Sequence, residues 1–388
     1  MKVFDQLEAR RAWSPEEQAI LDAVRRVAAD VIAPAAAEAD RTGAFPQRNV
    51  EALTALGLNG LFVPEAHGGH PTRYKLYLAV VKAISEACAA TGIIYATTFH
   101  GMKPLMDFGS EEQKQRLLPR IAAGGLASLA ITEPHAGSDA TGMNTRFTPQ
   151  GDHILVDGGK TFITSGDKAD LLLVFGKWSE IDDARGAISA LIIEKGMPGF
   201  ATGRPEDKMG LRASSTVALD FDKVRVPRAN LLGNPGEGLK ILLASLNKSR
   251  PSIAAHALGI VIAAFKDMTA YMNTRRQSGR RIAEFQANQF LLADLASELA
   301  LCEAWLDHVA DLIDSGAGDF GIEASIAKLR ASDLAMRVTT EAVQMHGGYG
   351  YIRDYRVERL MRDAKITQIW EGTNQVHRQL IGRSFVER

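Results

Sequence analysis

One stretch of the chain contains residues suited to acid–base chemistry: residues 359–378, RLMRDAKITQIWEGTNQVHR. It places a carboxylate, Glu371, between the large aromatic residue Trp370 and the small residue Gly372. A carboxylate beside apolar surface is poorly hydrated as an anion and is therefore suited to accept a proton. Gly372 allows a ligand or the backbone to approach closely, and hydrogen-bonding side chains follow at 373–375. The alternative is a common arrangement, a glutamate at a helix end followed by a Gly–Thr turn.

The length and composition predict a soluble, cytoplasmic protein of two or three domains. The 388 residues are 46% hydrophobic and 23% charged, with a formal net charge of −1. This near balance argues against nucleic acid or an anionic membrane as a partner. Cys88 and Cys302 lie far apart, with neither a disulfide framework nor metal-ligand spacing, which favours a reducing compartment. The N-terminus lacks a signal-peptide core, and no apolar run reaches membrane-spanning length.

The first section, residues 1–124, is predicted to be an N-terminal helical domain. Ser14 is a good helix cap before Pro15, and apolar residues then recur at helical spacing. The same periodicity predicts one helix from Arg73 to about Ala96, and Ser110 caps a further short helix.

Residues 125–234 are predicted to form a separate middle domain, an antiparallel β-barrel or sandwich. Its segments are short, rich in β-branched residues and bounded by Gly, Pro or Asp-Gly. Val217, Leu219 and Phe221 alternate with more polar neighbours, as in a half-buried antiparallel strand. Strands clustered between helical sections argue against a parallel βαβ sheet.

Residues 235–388 return to helical periodicity and are predicted to form a four-helix bundle. The first helix is long, with Pro251 as a potential bend, and the third ends at the Gly347-Gly348 turn. The final helix is predicted to run through Ile366 and Ile369 to the carboxylate described above.

Residues 131–140, ITEPHAGSDA, follow the first predicted strand. Gly137 and Ser138 could present N–H groups and a hydroxyl to a phosphate, whereas the alternative is a turn leaving the strand. A Ser–His–Asp triad is disfavoured, because His135 and Asp139 are too close to Ser138 in sequence to face it productively.

Residues 160–166 place Phe162 and Thr164 on one face of a strand and Ile163 on the other. An aromatic ring and a hydroxyl on one face could bind a flat heteroaromatic ring; the alternative is an ordinary strand. The glycine-rich segment around His346 does not follow a strand, so it is no dinucleotide-binding fingerprint. No His or Cys pairing predicts a metal site.

Together and in this order, these stretches closely resemble the acyl-CoA dehydrogenase family. The resemblance covers nearly the whole chain. The matching blocks are AITEPHAGSDA (130–140), KTFITSGDKAD (160–170), KMGLRASST (208–216), FDKVRVPRANLLG (221–233), RRQSGRRIAEFQ (275–286) and QMHGGYGYIRDYRVERLMRDAKITQIWEGTNQ (344–375).

The resemblance implies the same three-part architecture, with FAD between the middle domain and the bundle of a homotetramer. It implies that Glu371 removes the proton on the carbon alpha to the thioester while the beta carbon gives a hydride to flavin N5. In the family, the backbone N–H of the base and a flavin ribityl hydroxyl polarise the thioester carbonyl.

The resemblance also implies the remaining site residues. FAD contacts are expected from Ile131, Thr132, Gly137, Ser138, Phe162, Ile163, Thr164, Arg275, Gln286, Gln344, Met345, Gly347, Gly348, Thr373 and Gln375. Those from Arg275, Gln286 and 344–348 would come from the partner subunit. Substrate contacts are expected from Ser138, Asn247, Arg250, Glu371 and Gly372; no metal is implied.

Three positions depart from the family pattern. Ser278 stands where Phe is usual, which changes adenine packing. Asn247 stands where Asp is common, which removes a charge near the pantetheine arm. Trp370 stands where Tyr or Gly is frequent, which narrows the pocket beside the base. These departures leave open the acyl group and the choice between CoA and a carrier-protein thioester.

The resulting hypothesis is an FAD-dependent acyl-CoA dehydrogenase of fatty acid metabolism that forms a trans-2-enoyl-CoA and passes electrons to an electron-transfer flavoprotein. One rival is a flavin oxidase or monooxygenase of the same fold acting on a non-thioester substrate, and the retained Glu371 argues against it. The other is a non-catalytic flavin- or thioester-binding protein, whose bound FAD no acyl thioester would reduce.

Overall fold

The computed structural model describes residues 2–386. The predicted N-terminal helical section is confirmed, with α1 (Lys2–Arg10), α2 (Pro15–Val27), α3 (Ala33–Thr42), α4 (Gln47–Ala55), α5 (Tyr74–Ala87), α6 (Ala89–Phe108) and α7 (Glu111–Ala122). Ser14 caps α2 as predicted: its hydroxyl accepts from Glu17 N–H while the Glu17 carboxylate accepts from Ser14 N–H. Ser110 and Gln113 form the same reciprocal cap on α7.

The prediction of one helix from Arg73 to about Ala96 is wrong in one respect. Cys88 has extended backbone angles (φ −153°, ψ 111°) and separates α5 from α6. Helix α6 then continues to Phe108. Residues 89–102 are buried on every side of α6, so its sequence shows no apolar stripe from which its length could be predicted.

The middle part forms one mixed sheet. Its strands are β1 (Ala127–Ala130), β2 (Arg146–Gln150), β3 (His153–Thr164), β4 (Leu171–Trp178), β5 (Ile188–Glu194), β6 (Phe200–Thr202), β7 (Thr216–Pro227) and β8 (Leu231–Leu232). The strand order is β6-β7-β3-β2-β4-β5-β8, with β1 paired to β4. Most pairings are antiparallel as predicted, but β1 and β2 both run parallel to β4.

Strand β7 has the predicted alternation: Val217, Leu219 and Phe221 are buried in the core of the sheet. Its pairing with β3 contains a register shift between Lys160 and Ile163. Lys160 faces Leu219 and Ile163 faces Val217, so three steps on β3 oppose two on β7. This is a β-bulge.

The C-terminal part contains α8 (Gly238–Thr274), α9 (Gln286–Asp314), α10 (Gly321–His346), α11 (Val357–Lys365) and α12 (Asn374–Arg383), with a small hairpin of β9 (Arg276–Gln277) and β10 (Arg280–Arg281) after α8. The predicted fourth long helix is instead two short helices, α11 and α12. The segment between them, residues 366–373, is here called the Glu371 loop. Glu371 therefore lies in a loop between two helices.

Helix α8 is the centre of the helical part. It packs against α5, α6 and α10, and the N-terminal and C-terminal helices share one hydrophobic core. Within residues 2–386, α8 is long and apolar enough to cross a membrane, a property that the sequence analysis did not identify. Of its most apolar window, 72% is buried inside the protein, as expected of a core helix.

Candidate active site

The Glu371 loop holds its carboxylate residue in an uncommon backbone conformation. Glu371 has φ 53° and Gly372 has φ 90°, both in the left-handed region. A side chain at Gly372 would meet His377, since a Cβ there would lie 3.1 Å from Nε2. Two donors fix the carbonyl groups: His377 Nε2 donates to Glu371 O (3.2 Å) and Lys328 Nζ donates to Gly372 O (2.7 Å). A non-glycine residue stays in this region only when its surroundings enforce it.

The Glu371 carboxylate is positioned by residues from two other helices. Ser249 Oγ on α8 donates a 2.6 Å hydrogen bond to Glu371 Oε2. His100 Nδ1 on α6 lies 3.8 Å from Glu371 Oε1, and the glutamate side chain is 15% exposed. The carboxylate is thus oriented by Ser249 from one side and remains partly accessible to a ligand.

The hydrogen bonds around His100 determine which of its ring nitrogens carries the proton. Ser252 Oγ donates its single proton to Ser249 O (2.7 Å), so it can only accept from His100 Nε2, 2.6 Å away. Burial lowers the pKa of His100 although the Glu371 charge opposes it, so the ring is neutral with its proton on Nε2. The lone pair of Nδ1 consequently faces Glu371 Oε1.

Two buried basic side chains, Arg250 and Lys328, lie near the Glu371 loop and have no carboxylate within 4 Å among the described residues. Burial lowers the pKa of Lys328 to about 7, although the Glu371 charge acts to raise it. Burial also lowers the pKa of Arg250 below its usual value, with the Glu371 charge again opposing. Arg250 Nη1 donates to Asn247 Oδ1 (2.9 Å), so these two predicted substrate residues contact each other.

On the middle part of the protein, the bulge in β3 turns Phe162 outward. Phe162 has φ 58° and is 65% exposed. Ile131, Thr132 and Thr164 are half-buried. Ile163, in contrast, is 3% exposed and packs in the core of the sheet, so only its main-chain atoms can reach a cofactor.

A buried ion pair supports these residues. Lys160 and Glu133 have side chains 0% and 3% exposed, joined by a 2.6 Å bond. Glu133 also accepts from the N–H groups of Asn144 and Thr145, and Lys160 donates to Ile131 O (3.0 Å). Burial raises the pKa of Glu133, but the Lys160 charge and the donated hydrogen bonds outweigh burial and hold it below its usual value. The pair fixes the segment 131–145.

Gly137 and Ser138 are exposed in this segment, and the space around Gly137 is open. Glu133 and Ala136 pair as a bridge, so a turn does leave β1, with the two exposed residues beyond it. Asp139 accepts from Thr141, and His135 lies 3.7 Å from Glu133. The disfavoured triad has no hydrogen bonds among its members in residues 2–386.

A surface groove of about 440 Å³ brings together most of the residues expected to reach FAD in a partner subunit. Its lining includes Arg275, Gln344, Met345, Gly347 and Gly348. The Arg275 guanidinium lies 5.8 Å from the centre of the Tyr349 ring. Gln286 is exposed at the start of α9, outside that lining.

The two expected FAD contacts after the base lie at the start of α12. Thr373 caps that helix by accepting from Val376 N–H (3.3 Å), and Gln375 is exposed.

These features fit FAD. An exposed aromatic ring beside half-buried hydroxyl-bearing residues suits a flat ring system, and a guanidinium beside a glycine-rich backbone suits a diphosphate. Sequence reasoning missed the residues that support this site: His100, Ser249, Lys328 and the Glu133–Lys160 pair. Lys160 lies within a matching block, whereas His100 lies in a helix without periodicity.

Most of the chain matches sequence profiles of one family. The profile described as acyl-CoA dehydrogenase N-terminal domain matches residues 14–125, the middle domain residues 128–224 and the C-terminal domain residues 236–386. An acyl-CoA dehydrogenase of Bacillus subtilis is 44% identical over 362 residues, covering 93% of this chain and 95% of its own. A short-chain-specific acyl-CoA dehydrogenase of Clostridium acetobutylicum is 40% identical, covering 95% and 98%.

Solved structures agree. Butyryl-CoA dehydrogenase from Megasphaera elsdenii has a TM-score of 0.93 and 37% identity, covering 97% of this chain and 99% of its own. An acyl-CoA dehydrogenase complexed with FAD from Bacillus anthracis has a TM-score of 0.89 and 30% identity, covering 96% and 67%. A prolyl acyl carrier protein oxidase has a TM-score of 0.91 and 27% identity, covering 97% and 100%.

Proposed function

The chain belongs to the acyl-CoA dehydrogenase family and is an FAD-dependent oxidoreductase acting on CH–CH bonds, and we propose that Glu371 is the base that removes the α-proton of its acyl-CoA thioester. The product would be the trans-2-enoyl-CoA. The observation that carries this proposal is the Glu371 carboxylate itself, which is oriented by Ser249, lies near the buried basic side chains of Arg250 and Lys328, and is accessible on one side.

Removing an α-proton requires that the thioester carbonyl be polarised as charge develops. The backbone N–H of Glu371 donates no hydrogen bond to the described residues, so it is free to donate to that carbonyl oxygen. When bound, FAD supplies the acceptor for the hydride that leaves the β-carbon. A proton on Glu371 Oε1 would face the lone pair of His100 Nδ1, and a small shift that closes their 3.8 Å separation to hydrogen-bond distance would let that nitrogen accept from the protonated base.

His100 should therefore strengthen the base. We expect His100→Leu to slow flavin reduction by about 10-fold, because the protonated base would lose a hydrogen-bond acceptor within its reach. His100→Gln is the matched control, since its amide can donate to Ser252 and accept from Glu371. A flavin-reduction rate in His100→Leu equal to that of the wild type would contradict this role.

FAD should bind between subunits. We propose a homotetramer in which the groove around Arg275 binds the FAD diphosphate of the neighbouring subunit. Phe290 and Leu301, on α9, expose 61% and 71% of their surface, apolar area that assembly would cover.

Arg275→Ala is expected to weaken FAD binding by about 10- to 100-fold, because a charge-assisted bond to phosphate is lost. FAD per subunit after gel filtration measures the effect. Arg276→Ala is the control, since this neighbour is outside the groove lining. Equal FAD retention in the two variants would count against the assignment.

Anaerobic titration with a panel of acyl-CoAs tests the function. Bleaching of the flavin band by one or more of them is the expected result, and an electron-transfer flavoprotein is the proposed acceptor of the electrons. The similarity to a prolyl acyl carrier protein oxidase favours a second candidate, the same chemistry on a carrier-bound thioester. Bleaching by carrier-protein thioesters alone would favour this second candidate.

We also propose a cytoplasmic location, since both cysteines, Cys88 and Cys302, are free.

A further inference from the structure

His256 Nε2 on α8 and Trp370 Nε1 in the Glu371 loop are buried ring nitrogens without a hydrogen-bond partner among residues 2–386. His256 is 0% exposed, and the centres of the two rings are 5.7 Å apart with their planes at 56°. Buried polar atoms are nearly always paired, so two unpaired nitrogens on neighbouring rings indicate a partner that the chain itself does not supply.

The donors and acceptors at His256 and Trp370 determine which hydrogen bonds that partner must make. Ser85 Oγ donates its single proton to Val81 O (2.7 Å), so it accepts from His256 Nδ1, 2.9 Å away. Burial lowers the pKa of His256 to about 3, so the ring is neutral and its Nε2 carries a lone pair without a proton. Indole Nε1–H only donates. The pair therefore offers one acceptor and one donor.

The His256–Trp370 pair lies close to Glu371, where the α-carbon of the substrate would bind. Along α8, Ser249 contacts the Glu371 carboxylate, Ser252 contacts His100, and His256 follows one turn later. These residues share one face of the helix, and His256 lies about 10 Å from Ser249 along the axis. Trp370 directly precedes the base. An acyl chain that ran from Glu371 along this face of α8 would reach the pair.

We propose that the acyl group carries a hydroxyl beyond its β-carbon, which accepts from Trp370 Nε1–H and donates to His256 Nε2. A hydroxyl is neutral and both donates and accepts, as the pair requires. A carboxylate only accepts and would add a second anion near Glu371, whereas an ammonium only donates. This assignment rests on the proposed function and names its substrate class.

Matched pairs of thioesters test the assignment. The probes are 5-hydroxypentanoyl-, 6-hydroxyhexanoyl- and 8-hydroxyoctanoyl-CoA, each compared with the unsubstituted ester. The quantity compared is the second-order rate constant of anaerobic flavin reduction, the limiting reduction rate divided by the dissociation constant. At least one hydroxy ester should be preferred by roughly 10- to 100-fold, since the unsubstituted ester leaves two buried groups unpaired. Bleaching by unsubstituted esters without any such preference would overturn the proposal and assign an ordered water to the pair. No bleaching by any CoA ester would instead contradict the proposed function.

A binding measurement separates recognition from turnover. In a Glu371→Gln background, dissociation constants of the hydroxylated and unsubstituted esters should differ by a similar factor. Trp370→Phe keeps an aromatic ring and removes the N–H, and His256→Leu removes the acceptor. Either change should bring the ratio close to one, whereas Trp305→Phe, at a tryptophan that donates to Glu323 O, should leave it unchanged. A ratio that persists in both variants would contradict the assignment.

Discussion

Glu371→Gln is expected to leave a folded, FAD-loaded protein in which acyl thioesters reduce the flavin about 10²- to 10⁴-fold more slowly, the usual contribution of a general base. The amide has nearly the shape of the carboxylate and can still accept the Ser249 hydrogen bond, so the Glu371 loop should keep its conformation. What it lacks is the ability to take a proton. The loss should therefore fall on the reduction step, with little change in thioester affinity.

Single-turnover absorbance of the flavin band under anaerobic conditions measures this loss. Glu16→Gln, at an exposed position in α2, is the control for removing a carboxylate as such. FAD content and melting temperature should match the wild type in both variants. Reduction at a near wild-type rate in Glu371→Gln would place the base elsewhere.

Glu133→Leu is expected to destabilise the protein by about 3–5 kcal/mol, the usual cost of removing one partner from a buried ion pair. It leaves the ammonium of Lys160 without its anion and the N–H groups of Asn144 and Thr145 without an acceptor. The segment 131–145 should lose its conformation, so FAD content should fall together with melting temperature.

Two further variants make this prediction specific. Glu133→Gln keeps an acceptor oxygen and should lose less stability. Glu133→Leu combined with Lys160→Met removes both charges and should recover part of the loss, because an apolar pair needs no compensation. The backbone donors would stay unpaired, so recovery should be incomplete. A single variant as stable as the wild type would show that this pair does not support the segment.

The sequence predicts Glu371 as the candidate base, but it does not predict the loop in which Glu371 lies or the residues that contact this loop. The residues before it, ITQIW, continue the apolar spacing of α11 and favour a continuous helix. In the structure α11 ends at Lys365, and contacts from Lys328 and His377 hold the loop open. Those donors come from α10 and α12, and no local pattern connects them to Glu371.

Other features of the site could not be predicted from the sequence, for different physical reasons. His100 lies in a helix buried on all sides, where periodicity carries no information. Glu133 and Lys160 are 27 residues apart and meet only because β3 passes the segment after β1. The face of Phe162 followed from strand alternation, but the bulge that exposes its ring depends on the register with β7.

The most direct test of the central claim, that flavin reduction requires removal of the substrate's α-proton, is an isotope measurement on the wild-type holoenzyme. An acyl-CoA that bleaches the flavin would be compared with the same ester deuterated at both α-positions, in single-turnover anaerobic mixing. We expect slower bleaching with the deuterated ester, because cleavage of the α-C–H bond takes part in the limiting step. Identical bleaching rates, in an experiment where the reduction step itself is observed, would contradict that claim.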